Sequence, residues 1–196
     1  ERLHGAHSAQ IFGRESGGVG KRVLRAARAF AHEPPRPDQR KDDDRNGYID
    51  DIAGWDFFRN DNDAYDDTHY GHGNGEAEDS SAETDNGLGD AGVCPRCRVM
   101  PLRVGDSFVA DVNDFGVAAT YAVDIGAAVV QEALGTLDNS WLSRWAIDYA
   151  YDNHVTVIAS AADENSFHHN FPGTNNHTVY VHAIRYNADR REDSTH

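Results

Sequence analysis

The chain is poor in sulfur and in positive charge. It has two cysteines, Cys94 and Cys97, and one methionine among 196 residues, which excludes a disulfide-dense scaffold. Six prolines are too few for a polyproline linker or a collagen-like chain. Lys and Arg number 18 against 33 Asp and Glu, a formal net charge of −15. So acidic a body repels phosphate backbones and anionic lipid, so nucleic-acid or membrane-surface binding is not expected of it. The exception would be residues 1–41, where nine of the 18 basic residues sit beside only Glu1, Glu15, Glu33 and Asp38. No run of 18 apolar residues exists, and residues 1–20 lack the charged-then-apolar pattern of a signal peptide. The first residue is Glu, so a start and a targeting segment are expected to have been removed or left out. What is present is a hydrophobic content of 39% and 18 glycines, which suits one globular unit with many turns.

Three stretches differ in texture. "KRVLRAARAFAH" (21–32) places Val23, Leu24, Ala27 and Phe30 at helical spacing with arginines opposite, and "EPPRP" ends it, predicting a short amphipathic helix in a basic leader. From 42 to 92 glycine, asparagine and aspartate dominate, predicting long ordered loops that need something other than a core to fix them. After residue 93 short apolar runs alternate with helical patterns: "RVMPLRV" (98–104), "FGVAATYAVDIG" (115–126), "AAVVQEAL" (127–134), "SRWAIDYAYDN" (143–153), "VTVIASAA" (155–162) and "TVYVHAI" (178–184). Strand alternating with helix predicts an α/β fold with a mostly parallel sheet. Val129, Val130, Val155, Val157 and Ile158 are expected in strands buried on both faces.

Two features raise the question of metals. "DDDRNGYID" sets Asp42, Asp44 and Asn46 at alternate positions, then Gly47 for a sharp turn, the carbonyl of Tyr48, and Asp50. These are the first nine positions of a calcium loop. The twelfth is Ala53 rather than a bidentate glutamate, so either Asp51 or a distant carboxylate completes a calcium shell or the run is a solvated acidic turn. Asp61, Asp63, Asp66 and Asp67 form a second acidic cluster with the same two readings. "CPRC" has the spacing of half a zinc site or of a redox pair; with no second C-x-x-C, a free or disulfide-linked turn is the alternative.

The runs "DDDRNGYIDDIAGWDFFRNDNDAYDDTHYGHGNGEAE", "GVCPRCRVMPLRV", "AVDIGAAVVQEALG" and "AIDYAYDNHVTVIASAADENS", in this order and at these spacings, resemble the middle of the catalytic domain of the subtilisin-like serine proteases, over roughly residues 42 to 190. The resemblance implies a three-layer α/β fold, its mostly parallel sheet flanked by helices and incomplete here. It also implies peptide-bond hydrolysis by the Asp-His-Ser mechanism on an extended peptide or protein substrate. His72, between two glycines, matches the family's general base. Ala133, Leu134 and Gly135 match the segment that pairs with the substrate backbone. Ala161 and Ala162 match small residues flanking the pocket for the residue before the scissile bond. Asp163 stands where the family usually has an oxyanion-stabilising asparagine, and a carboxyl serves there only when protonated.

His72's partners are not recognisable. Asp38, in "RPDQR", is no strand end, and Ser194, in "REDSTH", lacks the family's G-T-S context. The expectation is a basic leader over residues 1–41 and a partial catalytic domain over 42–196, from a secreted parent protease, with the chain alone inactive. A noncatalytic, calcium-stabilised peptide-binding module is the alternative; a nucleic-acid binder built on the basic helix is a weaker third.

Overall fold

A computed structural model of the protein describes residues 7–13 as a strand, together with 42, 44–64, 72–106, 111–136, 138–161 and 170–182. Six strands form one sheet in the order β2-β3-β1-β4-β5-β6. They are β1 (His7–Gly13), β2 (Trp55–Asp56), β3 (Arg98–Gly105), β4 (Val129–Glu132), β5 (Thr156–Ser160) and β6 (Thr178–Val181). β1 runs against the other five, pairing antiparallel with β3 and β4, while β2–β3, β4–β5 and β5–β6 are parallel. The mostly parallel sheet expected from the apolar runs is present. Residues 7–13, placed by the sequence in a leader, pair through the whole length of β3 and lie inside this sheet. The helix expected over 21–32 lies outside the described residues.

Three helices flank the sheet: α1 (His72–Ser81), α2 (Val112–Asp124) and α3 (Trp141–Asp152). The last two start at side-chain caps: the Asp111 carboxylate accepts the Asn113 N–H (2.7 Å) and the Ser140 hydroxyl accepts that of Ser143 (3.0 Å), each satisfying an amide with no partner in the helix. Their mutual face is built of small residues, with Ala118, Ala119, Ala122, Ala146 and Ala150 buried. At Gly116 the chains pass so closely that a Cβ would lie 3.1 Å from the Ser143 Cα. Phe115 and Ile147 then reach the sheet at Leu102, Val104, Val130 and Val157, all fully buried; each such side chain contributes about 1.5–3 kcal/mol relative to exposure.

Burial alternates along β4 and β5. This corrects the expectation of strands buried on both faces: Val130 and Val157 are enclosed, Val129 and Ile158 are half-covered, and Val155 is buried just ahead of β5. Successive strand residues point to opposite faces. Gln131, opposite in sense to Val130, hydrogen-bonds Glu76 of α1 (3.0 Å), so α1 covers the face that α2 and α3 do not. That face also carries a buried ion pair: Arg103 Nη1 lies 2.9 Å from Asp56 Oδ2, with side chains 1% and 0% exposed.

The acidic segment that the sequence left to be fixed by a cation is anchored by aromatic packing. The Tyr48 ring packs edge-on against Trp55, Phe57 and Tyr121 at 5.1, 5.5 and 4.9 Å between centroids, and the Tyr121 hydroxyl donates to Asp51 (2.7 Å). Gly54, at φ +116, seals the turn into β2, where a Cβ would sit 2.1 Å from the Pro101 carbonyl oxygen.

Candidate active site and peptide groove

His72 is the first residue of α1, not a residue of a loop as the flanking glycines suggested. "HGNGEAEDSS" is a weak helix former, with two glycines and an asparagine, and tertiary contacts supply what propensity lacks. Carbonyls at its end receive N–H donors from the next segment: Val93 to Asp79 (3.1 Å), Cys94 to Ser80 (2.8 Å) and Gly92 to Ala82 (3.1 Å). Gly92 permits this approach, since a Cβ there would lie 2.3 Å from the Ala82 nitrogen. Cys94 and Cys97 form a disulfide that closes the turn into β3, which removes the zinc reading. The helix bearing His72 is thus tied directly to a central strand.

The His72 imidazole is largely covered, with Nε2 3.7 Å from Glu76 Oε1 one turn on. The other oxygen of Glu76 accepts the Gln131 amide of β4, so a polar path runs from the histidine to the strand leading into the expected substrate-binding segment.

That segment is held from inside. The Leu134 N–H donates to Glu132 Oε2 (2.8 Å) and its carbonyl accepts from Asn170 Nδ2 (3.0 Å). Asn170 Nδ2 also donates to the Ser160 carbonyl (2.8 Å), and Thr136 exchanges both backbone hydrogen bonds with Phe171. Asn170 lies directly under Gly135, where a Cβ would fall 1.8 Å from its Oδ1. With the backbone groups of Leu134 and Thr136 engaged internally, the alternate residues Ala133 and Gly135 are those of this segment that can direct theirs toward a peptide. Ala161 follows Ser160, its N–H bonded to the Val181 carbonyl (2.9 Å). Asn170 therefore joins Ala133–Gly135 and Ala161 as two walls of one groove. Ala162 and Asp163 lie outside the described residues.

Two members of this assembly escaped the sequence reading. Glu132 is 2% and Asn170 3% exposed. A glutamate in the apolar run "AAVVQEALG" was a signal that it is enclosed; Asn170 carried none. Burial holds the Glu132 carboxyl well above the usual range, with the Glu76 charge adding to this and N–H donors from Leu134 and Ser160 opposing it.

The candidate calcium residues Asp42, Asp44, Asn46, Tyr48 and Asp50 have suitable donor chemistry, being hard oxygen ligands. Several of those oxygens shape the loop itself. Asp42 accepts the N–H groups of Asn46 (3.1 Å) and Gly47 (2.9 Å), Asp44 accepts that of Asn46 (3.3 Å), and Asn46 accepts that of Tyr48 (2.8 Å). The Gly47 N–H leads in holding the Asp42 carboxyl below its ordinary range. Among the described residues no three His, Cys, Asp or Glu side chains converge as a metal site.

The sequence profile described as the subtilase family matches residues 4–196. Thermitase of Thermoactinomyces vulgaris is 32% identical over 151 residues, 74% of this chain and 52% of that protein. A thermophilic serine proteinase of Bacillus sp. (strain AK1) is 31% identical over 137 residues, 68% of this chain and 33% of that one. The chain thus spans about half or less of the length of these relatives. Among solved structures, the prenylagaramide maturation protease PagA aligns with a TM-score of 0.53 at 20% identity, covering 61% of this chain and 44% of that one, a likeness of fold. The chain belongs to the subtilase family.

Proposed function

We propose that this chain supplies the histidine and the substrate groove of a serine endopeptidase acting on extended peptides. The observation that carries the reading is the joining of the end of β4 to the end of β5 by Asn170, within a polar path that reaches His72 through Gln131 and Glu76. In this reading His72 accepts the proton of a serine hydroxyl as it attacks the peptide carbonyl, then returns it to the leaving amine. Ala133 and Gly135 align the peptide by backbone pairing, and small residues at Ala161 and Ala162 leave room for the side chain before the scissile bond. Asp163 faces the developing oxyanion and stabilises it as a neutral acid. The catalytic domain takes in β1, so its boundary falls ahead of residue 7. The Cys94–Cys97 disulfide supports an oxidising, extracellular setting.

Calcium on the 42–50 loop belongs to the same proposal on donor chemistry. Asp42, Asp44, Asn46, the Tyr48 carbonyl and Asp50 would hold the ion, whose role there is to cross-link the loop.

The test is hydrolysis of casein by the protein expressed from the complete reading frame that contains this segment. His72→Ala is expected to remove hydrolysis, while residues 1–196 alone are inert. Full activity in the His72→Ala protein refutes the assignment. Peptide binding with no hydrolysis by the complete protein would identify the noncatalytic module instead.

A further inference from the structure

Leu134 and Ser160 are the residues through which the two walls of the groove meet, and their backbone groups are satisfied in a paired way. Both carbonyls accept from one amide, that of Asn170 (3.0 and 2.8 Å). Both N–H groups go to one carboxyl, that of Glu132, at 2.8 Å for Leu134. β4 and β5 are adjacent and parallel, with Glu132 beside Ala159, so the side chain spans from one strand to the next at the edge where the sheet ends. Ser160 and Ala161 then lead into one wall, Ala133–Gly135 into the other.

We propose that Glu132 is a positioning residue of the peptide groove, its carboxyl tying the outgoing end of β4 to the last residue of β5 so that the two walls keep a fixed spacing. The inference rests on reading Ala133–Gly135 and Ala161 as those walls. Removing the carboxyl would leave two buried N–H groups unpaired at the point where a peptide must align. The charge state matters as well. Glu132 Oε2 takes the Leu134 N–H, while Oε1 is buried and makes no hydrogen bond, so Oε1 is the atom that carries the proton of the neutral acid. The ionisable groups facing it are Glu76 on α1 and, beyond Glu76, His72. Ionisation would place a second negative charge near Glu76 with no water to solvate it, and the tie loosens as pH rises. Gln keeps an acceptor oxygen and cannot ionise.

The experiment follows the ¹⁵N-labelled full chain by NMR, with acetyl-tetraalanine-amide as the peptide probe, in wild type, Glu132→Ala and Glu132→Gln. Glu132→Ala is expected to weaken peptide binding about tenfold and to raise amide exchange at Leu134 and Ser160 about 100-fold while the rest of the sheet stays protected. Glu132→Gln is expected to bind like wild type near pH 6 and to keep that affinity to about pH 9, where wild type weakens. A folded Glu132→Ala protein that binds the peptide as wild type does, with those two amides still protected, overturns the proposal. If Glu132→Ala fails to fold, wild type and Glu132→Gln decide: equal pH dependence of the two overturns it. If no form binds the peptide, the groove reading fails, and exchange at the two amides alone decides the tie.

Discussion

Substituting Gly135 by Ala should disrupt the groove by evicting one side chain. The new Cβ would lie 1.8, 2.4 and 2.5 Å from Oδ1, Cγ and Nδ2 of Asn170, so the whole amide must move. Gly135 is not among the positive-φ glycines, so the effect is steric and not conformational. Asn170 is 3% exposed and cannot swing into solvent without giving up its bonds to the Leu134 and Ser160 carbonyls. Two buried carbonyls left unpaired cost about 1–3 kcal/mol each, or about 2–6 kcal/mol together. At about 2–4 °C per kcal/mol for a domain of this size, the midpoint should fall on the order of 10 °C. Asn170→Ala should cost a similar amount by deleting the same two bonds, but it also empties the space the new methyl needs. Gly135→Ala made in that background should therefore cost under about 1 kcal/mol. The assay is urea unfolding of the four proteins of this cycle, followed by circular dichroism. Additivity of the two substitutions within about 0.5 kcal/mol would show that Asn170 does not sit beneath Gly135, and with it the joined walls would be lost.

Arg103→Met should leave Asp56 buried without its guanidinium and cost about 3–5 kcal/mol in the same assay, whereas Asp56→Leu together with Arg103→Met should recover much of that; equal losses in single and double variants would contradict a coupled pair. Calcium added to chelator-treated protein should raise the thermal midpoint, with stabilisation of about 2.7 kcal/mol at a hundredfold excess over Kd, and Asp44→Ala should abolish the rise; a midpoint indifferent to calcium removes the ion from the 42–50 loop. In the complete protease a neutral Asp163 donates to the oxyanion and an ionised one repels it, so activity should climb as pH falls until His72 protonates, and Asp163→Asn should move the optimum toward alkaline pH. A profile that is flat or rises above neutrality in the unsubstituted enzyme would defeat that reading.

The elements that could be read from the sequence are those whose formation is decided by their own residues. β3, α2, β4, α3, β5 and β6 each coincide with an apolar run or a helical pattern, because each presents a continuous face to the core formed by Leu102, Phe115, Val130, Ile147 and Val157. α1 and β1 could not be read in the same way. "HGNGEAEDSS" buries only Gly73 and is held by amides arriving from residues 92–94, so its helical state is decided by residues up to 22 positions away. "HSAQIFG" has neither clean alternation nor a long apolar run, and its place between β3 and β4 is set by the two strands it pairs with. The aromatic anchor of the acidic loop was hidden for a related reason, since Tyr48, Trp55, Phe57 and Tyr121 converge only after α2 is in place.

The site divides along the same line. His72 and the Ala133–Gly135 segment were legible because a chemical role restricts residue type at a spacing. Asn170 and Glu132 act on backbone groups, which every residue carries, so their partners leave no trace in the sequence. Composition misled here as well. Thirty-three acidic residues read as a solvated surface, yet Asp56 and Glu132 are among the most enclosed side chains of the molecule. Each is fixed by a different kind of donor: a guanidinium for Asp56, which keeps its charge paired, and backbone amides for Glu132, which share a site with no cation. A carboxyl held only by neutral donors, with another carboxylate nearby, has little to stabilise ionisation. The acidity of the chain therefore separates into a pair that should resist change in pH and a single acid at the groove that should not.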